Sequence, residues 1–251
     1  MILVCDLGNT MIKFGVYDGD NLLNNFSLKT DKNKSSDEYG VLLYTLLKNC
    51  PIDGAIISSV VPSLTKSLSE AIKKVTDVNS LIVSKNIKTK MPIKIDNPNE
   101  LGSDMLIGAV GASKLYKNSI LVVDLGTASK IYVIDKNSNF IGGIISSGLM
   151  TSLKALVNST SLLLEVPLVF PKKVIGKNTK DCIQSGLLNS VVFEILGFSK
   201  DFENELGYPL KKIITGGFCR LFKEKLIDFE VIENLNLFGL KEIYRMNQYE
   251  K

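Results

Sequence analysis

Residues 2–18 read ILVCDLGNTMIKFGVYD, an apolar run that ends abruptly at Asp6, a short polar turn and a second largely apolar run. The pattern predicts two strands joined by a turn, with a charge placed where a buried strand should stop. Gly8 lets backbone N–H groups approach a ligand closely, and Asn9 and Thr10 offer small polar groups. A carboxylate at the strand end can hold a hydrated cation. The same residue types are common in ordinary hairpin turns, so the segment alone is compatible with a phosphate and metal site or with a plain turn.

The chain repeats this pattern. Residues 120–135 read ILVVDLGTASKIYVID, so the Asp-Leu-Gly of the first turn returns at residues 124–126 after an equally apolar run. The copies lie much further apart than the roughly 20 to 50 residues of a solenoid repeat, which favours duplication of a whole domain. We therefore expect an N-terminal domain at residues 1–116 and a C-terminal domain at residues 117–251, with a cleft between the two similar halves.

Hydrophobic periodicity predicts an α/β fold. In the first half, a third strand at residues 21–28 follows the opening pair, and helices then alternate with strands until a helix begins after Gly102. The second half opens with three strands and continues with a long apolar-faced helix at residues 179–202 and a strand at residues 210–215. Both halves thus follow one plan.

Composition excludes several functional classes. The net charge of +4 comes from basic residues scattered among acids without aromatic interleaving, which argues against nucleic-acid binding. The absence of histidine removes His-based triads and His metal sites. Phosphoryl transfer remains open, because it relies on positioning, cations and carboxylates. The four cysteines are widely spaced without a CxxC pair, as expected of reduced thiols in the cytoplasm.

Neither a membrane span nor a signal peptide is predicted. No run approaches about 18 uninterrupted apolar residues. The first apolar segment has no charged region ahead of it, as a signal peptide would have. We therefore expect a cytoplasmic protein that needs no membrane.

Three polar turns that each follow an apolar strand carry the candidate chemistry, at residues 6–10, 124–127 and 215–217. Glycines in such turns admit phosphates to the backbone N–H groups, and the carboxylates can hold the accompanying cations. Neither the Walker sequence GxxxxGK(S/T) nor the dinucleotide sequence GxGxxG is present. Nucleotide binding here would therefore be a different solution to the same electrostatic problem.

In their order, these motifs resemble those of the superfamily of acetate and sugar kinases, heat-shock chaperone ATPases and actin, and within it most closely the type III pantothenate kinases. The family's DxGNTxxK motif is matched by Asp6, Gly8, Asn9, Thr10 and Lys13, and its DxGTA motif by Asp124, Gly126, Thr127 and Ala128. Its GGxIxPG motif is matched in part, by Gly142, Gly143, Ile145 and Gly148. Its NT motif is matched by Asn178 and Thr179, and its TGG motif by Thr215, Gly216 and Gly217. The resemblance implies duplicated actin-like (ribonuclease H-like) domains, each a mixed five-stranded sheet with helices. It also implies ATP-dependent phosphorylation of the primary hydroxyl of pantothenate, the first step towards coenzyme A, by a homodimer that uses Mg²⁺ and K⁺ or NH₄⁺.

The resemblance also implies roles for individual residues. ATP would be bound by Asp6, Gly8, Asn9, Thr10, Lys13, Thr127, Gly216 and Gly217, with Asp6 also positioning Mg²⁺ and Asp124 ligating the monovalent cation. Asp104 matches the family's catalytic aspartate, whose carboxylate accepts the proton of the attacking hydroxyl. A weak base suffices there, because the transition state is loose and the proton can leave late. Without the family, Asp104 is interpreted as a helix N-cap residue.

The departures from the family lie on the substrate side, where the resemblance implies contacts at Ile95, Gly102, Ser103, Met105 and Thr179. Met105 stands where the family has arginine, Ile95 where it has tyrosine, and Ser147 where it has proline. A methionine cannot donate a hydrogen bond to an anion, whereas an arginine can grip a carboxylate with two. Lys130, in place of a family threonine, is a candidate to supply the lost positive charge.

Three functions therefore remain open. The chain is a pantothenate kinase with rebuilt substrate contacts, a paralogue acting on another small hydroxyl compound, or a nucleotide-binding regulatory or partner subunit with little catalysis. Asp104 argues against the third because a binding module needs no base, and Met105 argues against the first. The apolar face of residues 179–202 is compatible with the implied homodimer or with packing inside one chain.

Overall fold

The computed structural model of the chain describes residues 1–248. Its strands are β1 (Ile2–Leu7), β2 (Met11–Asp18), β3 (Asn21–Lys29), β4 (Gly54–Ser59), β5 (Ser80–Ile82), β6 (Ile120–Leu125), β7 (Ala128–Ile134), β8 (Phe140–Ser147), β9 (Lys211–Thr215) and β10 (Glu230–Val231). Its α-helices are α1 (Ser36–Leu46), α2 (Pro62–Thr76), α3 (Ser103–Leu115), α4 (Leu149–Asn158), α5 (Thr179–Leu206), α6 (Cys219–Phe222) and α7 (Leu235–Gln248).

The strands form two five-stranded sheets with the same plan. The first has the order β3-β2-β1-β4-β5 and the second the order β10-β9-β6-β7-β8. In each, the first strand of the half pairs antiparallel with the strand that follows it and parallel with a later strand on its other side. Strands β1, β2 and β4 therefore reappear as β6, β7 and β9. This confirms the predicted α/β fold of duplicated halves, each built on a mixed five-stranded sheet.

The central strands β1 and β6 explain why the two diagnostic runs are continuously apolar. Leu3, Val4 and Cys5 of β1 are fully buried, and every residue of β6 is buried, with Ile120 to Val123 fully so. A strand that is buried on both faces shows no alternation of apolar and polar residues. The edge strand β3, in contrast, has no fully buried residue and alternates along much of its length.

The chain divides into two compact units, which consist of residues 1–92, 96–115 and 235–248 and of residues 93–95 and 116–234. Helix α7 thus belongs to the first unit, where it packs against α3, β1 and β4. The predicted division into residues 1–116 and 117–251 assigned this helix to the second domain, and residues 249–251 of that range lie outside the described chain. An apolar face predicts that a helix packs against a hydrophobic core, but it does not predict which of the two sheets the helix packs against.

Two glycines bring α7 and α3 to backbone distance. A Cβ atom on Gly239 would lie 1.8 Å from the carbonyl oxygen of Ile107, and one on Gly111 would lie 2.8 Å from the carbonyl oxygen of Leu235. Only glycine leaves room for such an approach. The first two turns of α7 therefore pack closely against α3.

Charged groups hold α7 to the hairpin of β2 and β3. Lys241, which is 1% exposed, donates a hydrogen bond of 2.8 Å to the Asp20 carboxylate, and Arg245 donates one of 2.6 Å. These bonds, that of Lys241 first, hold the pKa of the Asp20 carboxyl down, at about 2. A buried ammonium needs such a partner, because an unpaired charge in the interior is costly.

Helix α5 is longer than predicted and ends at Leu206, followed by the cap residue Gly207, whose φ of 75° lies in the left-handed region. Leu188, Val192 and Ile195 on one face pack in the core of the second unit. Among residues 1–248, α5 alone is long and apolar enough to cross a membrane, and 44% of its most apolar window is buried. Core helices of soluble proteins pass the same test.

Replacing Gly239 by alanine is expected to destabilise the protein by about 1 to 3 kcal/mol, the usual cost of overpacking, although alanine is the better helix former. Urea denaturation followed by circular dichroism measures the change. Gly40→Ala in α1 is the matched control, since the nearest atom to its new Cβ would be Val75 Cγ2 at 3.9 Å. That control should keep or raise stability. Equal stability of both variants would contradict the close contact of α7 with α3.

Candidate functional site

Asp6 lies next to the last residue of β1 and is 9% exposed. In the register of the sheet it is flanked by Lys13 on β2 and Ser58 on β4. Its Oδ2 accepts a hydrogen bond of 3.1 Å from Nδ2 of Asn236, in the first turn of α7. The sequence analysis missed Asn236, because a single asparagine in a helix belongs to no motif.

The turn after β1 is fixed from the side by Thr30. The hydroxyl of Thr30 donates a hydrogen bond of 2.7 Å to the carbonyl of Gly8, and its N–H donates one of 2.9 Å to the carbonyl of Thr10. Asn9 and Thr10 are exposed, and Lys13 is half-buried on β2. Gly8, Asn9 and Thr10, which are predicted to bind phosphate, therefore lie together on a turn that Thr30 holds in place. Thr30 belongs to none of the motifs, and Lys13 lies on the strand after the turn.

Asp104 lies in the first turn of α3, at the same edge of the first sheet as Asp6. The hydroxyl of Ser103 donates a hydrogen bond of 3.0 Å to the carbonyl of Ser59, the last residue of β4. The preceding residue, Ser58, pairs with Asp6. The first unit thus places the predicted base and the predicted metal ligand at the carboxyl ends of β1 and β4.

Local contacts position the Asp104 carboxylate. Its Oδ1 accepts a hydrogen bond of 2.9 Å from the Met105 N–H, and the N-terminus of a helix favours a negative charge. A Cβ atom on Gly102 would lie 2.7 Å from that oxygen, so glycine leaves room for the carboxylate. Helix α3 begins at Ser103, which places Asp104 inside the helix rather than at its N-cap. Met105, at the arginine position, is 7% exposed and therefore buried.

Asp124 holds the equivalent place in the second sheet. It precedes the last residue of β6 and pairs in register with Lys130 on β7 and Thr215 on β9. The Nζ atom of Lys130 lies 3.2 Å from Oδ2 of Asp124, and the two side chains are 13% and 9% exposed. The family resemblance assigns Asp124 to a monovalent cation. In this chain the positively charged side chain of Lys130 already lies beside that carboxylate.

Glycines also surround the turn after Asp124. Gly216 has a φ of +93°, and a Cβ atom there would lie 2.6 Å from Oδ1 of Asp124. A Cβ atom on Gly148, before α4, would lie 2.3 Å from the carbonyl oxygen of Thr127. That oxygen accepts a hydrogen bond of 3.2 Å from the Gly148 N–H. The backbones of three segments therefore meet at this turn, where Gly217 leaves space for a ligand, since nothing lies within 4 Å of its Cβ position.

Ile95 lies away from Asp124 within the second unit. Its Cγ2 is 4.0 Å from the place of a Cβ atom on Gly142 in β8. Gly142 pairs with Val133, three residues further along β7 than Lys130, which is roughly 10 Å along a strand. Ile95, which stands where the family has tyrosine, thus packs beside β8 and not beside Asp124 and Lys130.

Thr179 begins α5 and lies at an open cavity of about 670 Å³ in the second unit. Among the residues that line the cavity are Leu156, Leu163, Asn178, Cys182, Ile183 and Leu187. The side chain of Asn178 caps the helix by accepting a hydrogen bond of 2.9 Å from the Asp181 N–H.

Ser147 stands where the family has proline. Its hydroxyl shares a hydrogen bond of 2.7 Å with the hydroxyl of Ser152.

Comparison with known proteins identifies the family. The sequence profile of the type III pantothenate kinases matches residues 2–201. A type III pantothenate kinase of Exiguobacterium sp. is 37% identical over 254 residues, which cover 99% of this chain and all of the relative. The chain belongs to the type III pantothenate kinase family. Membership confirms the resemblance read from the motifs and makes the chain a kinase, for which ATP is the implied phosphate donor.

Solved structures support the fold of this type III pantothenate kinase family member. A protein of Campylobacter jejuni described as a Baf family transcriptional activator superimposes with a TM-score of 0.60 at 22% identity, over 98% of this chain and 99% of that one. A protein of Sinorhizobium meliloti described as a 2-dehydro-3-deoxygalactonokinase gives a TM-score of 0.59 at 14% identity, over 99% and 97%. At these identities the likeness concerns the fold alone.

Replacing Thr30 by valine removes the hydroxyl that holds the carbonyl of Gly8 while keeping the side-chain shape. We expect the affinity for ATP to fall about fivefold, since one intramolecular hydrogen bond is worth about 1 kcal/mol. Calorimetric titration with a non-hydrolysable ATP analogue measures it. Thr45→Val is the control, because it removes a comparable hydroxyl bonded to the Val41 carbonyl on α1. Unchanged affinity of the Thr30→Val protein would contradict the role of Thr30.

Proposed function

We propose that this chain transfers the γ-phosphoryl group of ATP to the primary hydroxyl of pantothenate, the first step towards coenzyme A. The similarity to type III pantothenate kinases along the whole chain carries the proposal. The hydroxyl oxygen forms a bond to the γ-phosphorus, the bond from that phosphorus to the bridging oxygen breaks, and ADP leaves. The hydroxyl proton goes to Asp104.

The ATP phosphates are bound by the turn after β1 in this proposal. The Asn9 backbone and side-chain amides and the ammonium of Lys13 are the donors, because the Gly8 N–H is bonded to the Met11 carbonyl, and Thr30 keeps the turn in place. The family resemblance assigns contacts with ATP to Thr127, Gly216 and Gly217 as well. A positioned set of donors is most of what phosphoryl transfer requires of a protein.

Asp6 and Asn236 fit a hydrated magnesium ion. Among residues 1–248, Oδ1 of Asn236 is buried without a hydrogen-bond partner, although the Nδ2 of the same amide is bonded to the Asp6 carboxylate. Mg²⁺ keeps several waters and takes one or two carboxylates besides phosphate oxygens. A water on such an ion would supply the donor that the amide oxygen of Asn236 lacks. When bound, Mg²⁺ neutralises the charge of the transferring phosphates.

Asp104 serves as the general base. The hydrogen bond from Ser103 to β4 fixes the start of α3, and the missing side chain at Gly102 leaves space beside the carboxylate. The Met105 N–H occupies Oδ1. The carboxylate is half-buried, so that a substrate hydroxyl can reach it.

The acceptor is recognised with little help from the positions that depart from the family. Met105 and Ile95 have uncharged side chains, so neither offers a positive charge to a carboxylate, and Met105 is also buried. Thr179 provides a hydroxyl at a cavity whose walls include the apolar side chains of Leu156 and Leu163. These groups suit the aliphatic body of pantothenate better than its carboxylate.

The purified chain is expected to release ADP from ATP when Mg²⁺ and pantothenate are present, in a coupled assay. Asp104→Asn should lower kcat by about 10² to 10⁴-fold, the usual contribution of a general base, and leave ATP affinity unchanged. Asp18→Asn is the control, because Asp18 is exposed at the end of β2. Wild-type turnover by the Asp104→Asn protein would contradict the assignment of the base.

A panel of other small hydroxyl compounds in the same assay separates the alternatives. Turnover of one of them without turnover of pantothenate would assign the chain to a paralogous function, which the replacement at position 105 makes worth testing. Absence of turnover with every acceptor, with ATP still bound, would point to a regulatory or partner subunit.

We also propose that the enzyme is a cytoplasmic homodimer, formed through α5 and the segment before it. Phe193 and Leu196 on α5 are 63% and 45% exposed, and Val174 and Ile175 are 63% and 81% exposed. Phe193 and Leu196 are three residues apart and therefore neighbours on the surface of α5, and exposed apolar neighbours mark a surface for a partner. None of the four cysteines, all within the described chain, forms a disulfide, which suits a reducing compartment.

Sedimentation velocity at micromolar concentration should show a dimer of the wild-type chain and a monomer of the double variant Phe193→Lys/Leu196→Lys. Two ammonium groups in a closed apolar interface would lack partners. Val41→Lys is the control, because Val41 is 69% exposed on α1. A monomeric wild type would refute the dimer, and a dimeric double variant would refute its placement on α5.

A further inference from the structure

We propose that the ε-ammonium of Lys130 takes the place of a monovalent cation at Asp124, so that the kinase works without added K⁺ or NH₄⁺. The inference rests on the function proposed above, since it concerns the same nucleotide site. It departs from what the family resemblance implies for this chain.

The first observation is the ion pair itself. Lys130 lies directly opposite Asp124 in the antiparallel pairing of β7 with β6, and its Nζ is 3.2 Å from Oδ2. The side chains are 13% and 9% exposed, so the pair is largely shielded from solvent. Salt screens such a pair much less than it screens a surface pair.

The second observation is that the surroundings of Asp124 do not fit an additional ion. The ammonium of Lys130 lies 3.2 Å from Oδ2 of the Asp124 carboxylate, so a positive charge is already in place there. A lysine ammonium carries the same unit charge as K⁺ and donates up to three hydrogen bonds. A second monovalent cation beside it would be repelled.

The third observation is the equivalent position in the first half. Lys13 lies opposite Asp6 in the pairing of β2 with β1, as Lys130 lies opposite Asp124. The turn of the second copy is one residue shorter, yet the register brings its lysine to the same place. The family resemblance gives this position a threonine, so the chain has gained a charge where a neutral hydroxyl is expected.

A different role for Lys130, binding the carboxylate of the acceptor, follows from the sequence alone as compensation for Met105. The pairing with Asp124 favours the role at the nucleotide site instead. The two roles differ in what they predict: the first concerns cation dependence, and the second concerns the KM for pantothenate.

The first experiment measures kcat/KM for ATP of the wild-type enzyme with Mg²⁺ and pantothenate, in choline chloride and in KCl or NH₄Cl at matched ionic strength. We expect rates that agree within about twofold once screening is held constant. Activation by K⁺ or NH₄⁺ of about tenfold or more, the effect of one charged hydrogen bond, would overturn the proposal.

The second experiment uses Lys130→Thr, which restores the residue of the family. We expect this variant to lose about tenfold or more in choline chloride, because a buried carboxylate then lacks its partner, and to recover in KCl. Lys136→Thr, at an exposed position after β7, is the control and should remain independent of cations. A variant that shows only a raised KM for pantothenate, without cation dependence, would assign Lys130 to the acceptor and overturn the proposal.

A third measurement does not depend on turnover. Calorimetric titration of a non-hydrolysable ATP analogue with Mg²⁺, and thermal unfolding, are each followed with and without K⁺. The wild-type values should not respond to K⁺, whereas the Lys130→Thr protein should gain affinity and stability. If pantothenate is not phosphorylated, these readouts still decide the role of Lys130. A wild-type chain that K⁺ stabilises would refute it, whatever the acceptor.

Discussion

A carboxylate at the end of a buried central strand is the constraint on which both halves of the molecule depend. Asp6 is 9% exposed and Asp124 is 7% exposed, and a charge at that depth requires a partner. In the first unit the partner of Asp6 is the amide of Asn236, which requires that α7 pack against the first sheet. The second half provides the ammonium of Lys130 from the neighbouring strand, which demands only a hairpin register. The same carboxylate is thus accommodated by two different means in two copies of one fold.

Much of the fold follows from the sequence because its central strands are buried on both faces. Such strands are continuously apolar, and the aspartate that ends each run marks the edge of the sheet where ligands can bind. The repetition of that pattern at Asp124 predicts the duplication, and Asp104 is found by its motif. These features are local in sequence, so a motif or a run of residues is sufficient to identify them.

The features that sequence reasoning missed depend on contacts between distant segments. Asn236 contacts Asp6 only because α7 belongs to the first unit. The apolar face of a helix does not predict which sheet the helix packs against. Thr30 holds the carbonyl of Gly8 from the end of the third strand. The partner of Lys130 depends on the hairpin register, where a shift of one residue would turn its side chain to the other face of the sheet. No sequence motif predicts the contacts that Asn236, Thr30 and Lys130 make.

Two departures from the family change the charge in opposite senses and at different places. Met105 replaces an arginine at a position that is buried in the first unit, and Lys130 adds a cation to the second unit against Asp124. Because the lysine is already paired with that carboxylate, its charge is not fully available to an anionic acceptor. A lysine that merely compensated for the lost arginine would leave Asp124 to another cation. In the function proposed above, discrimination between acceptors comes from polar and apolar contacts at the cavity that Thr179 lines, rather than from a charge at position 105.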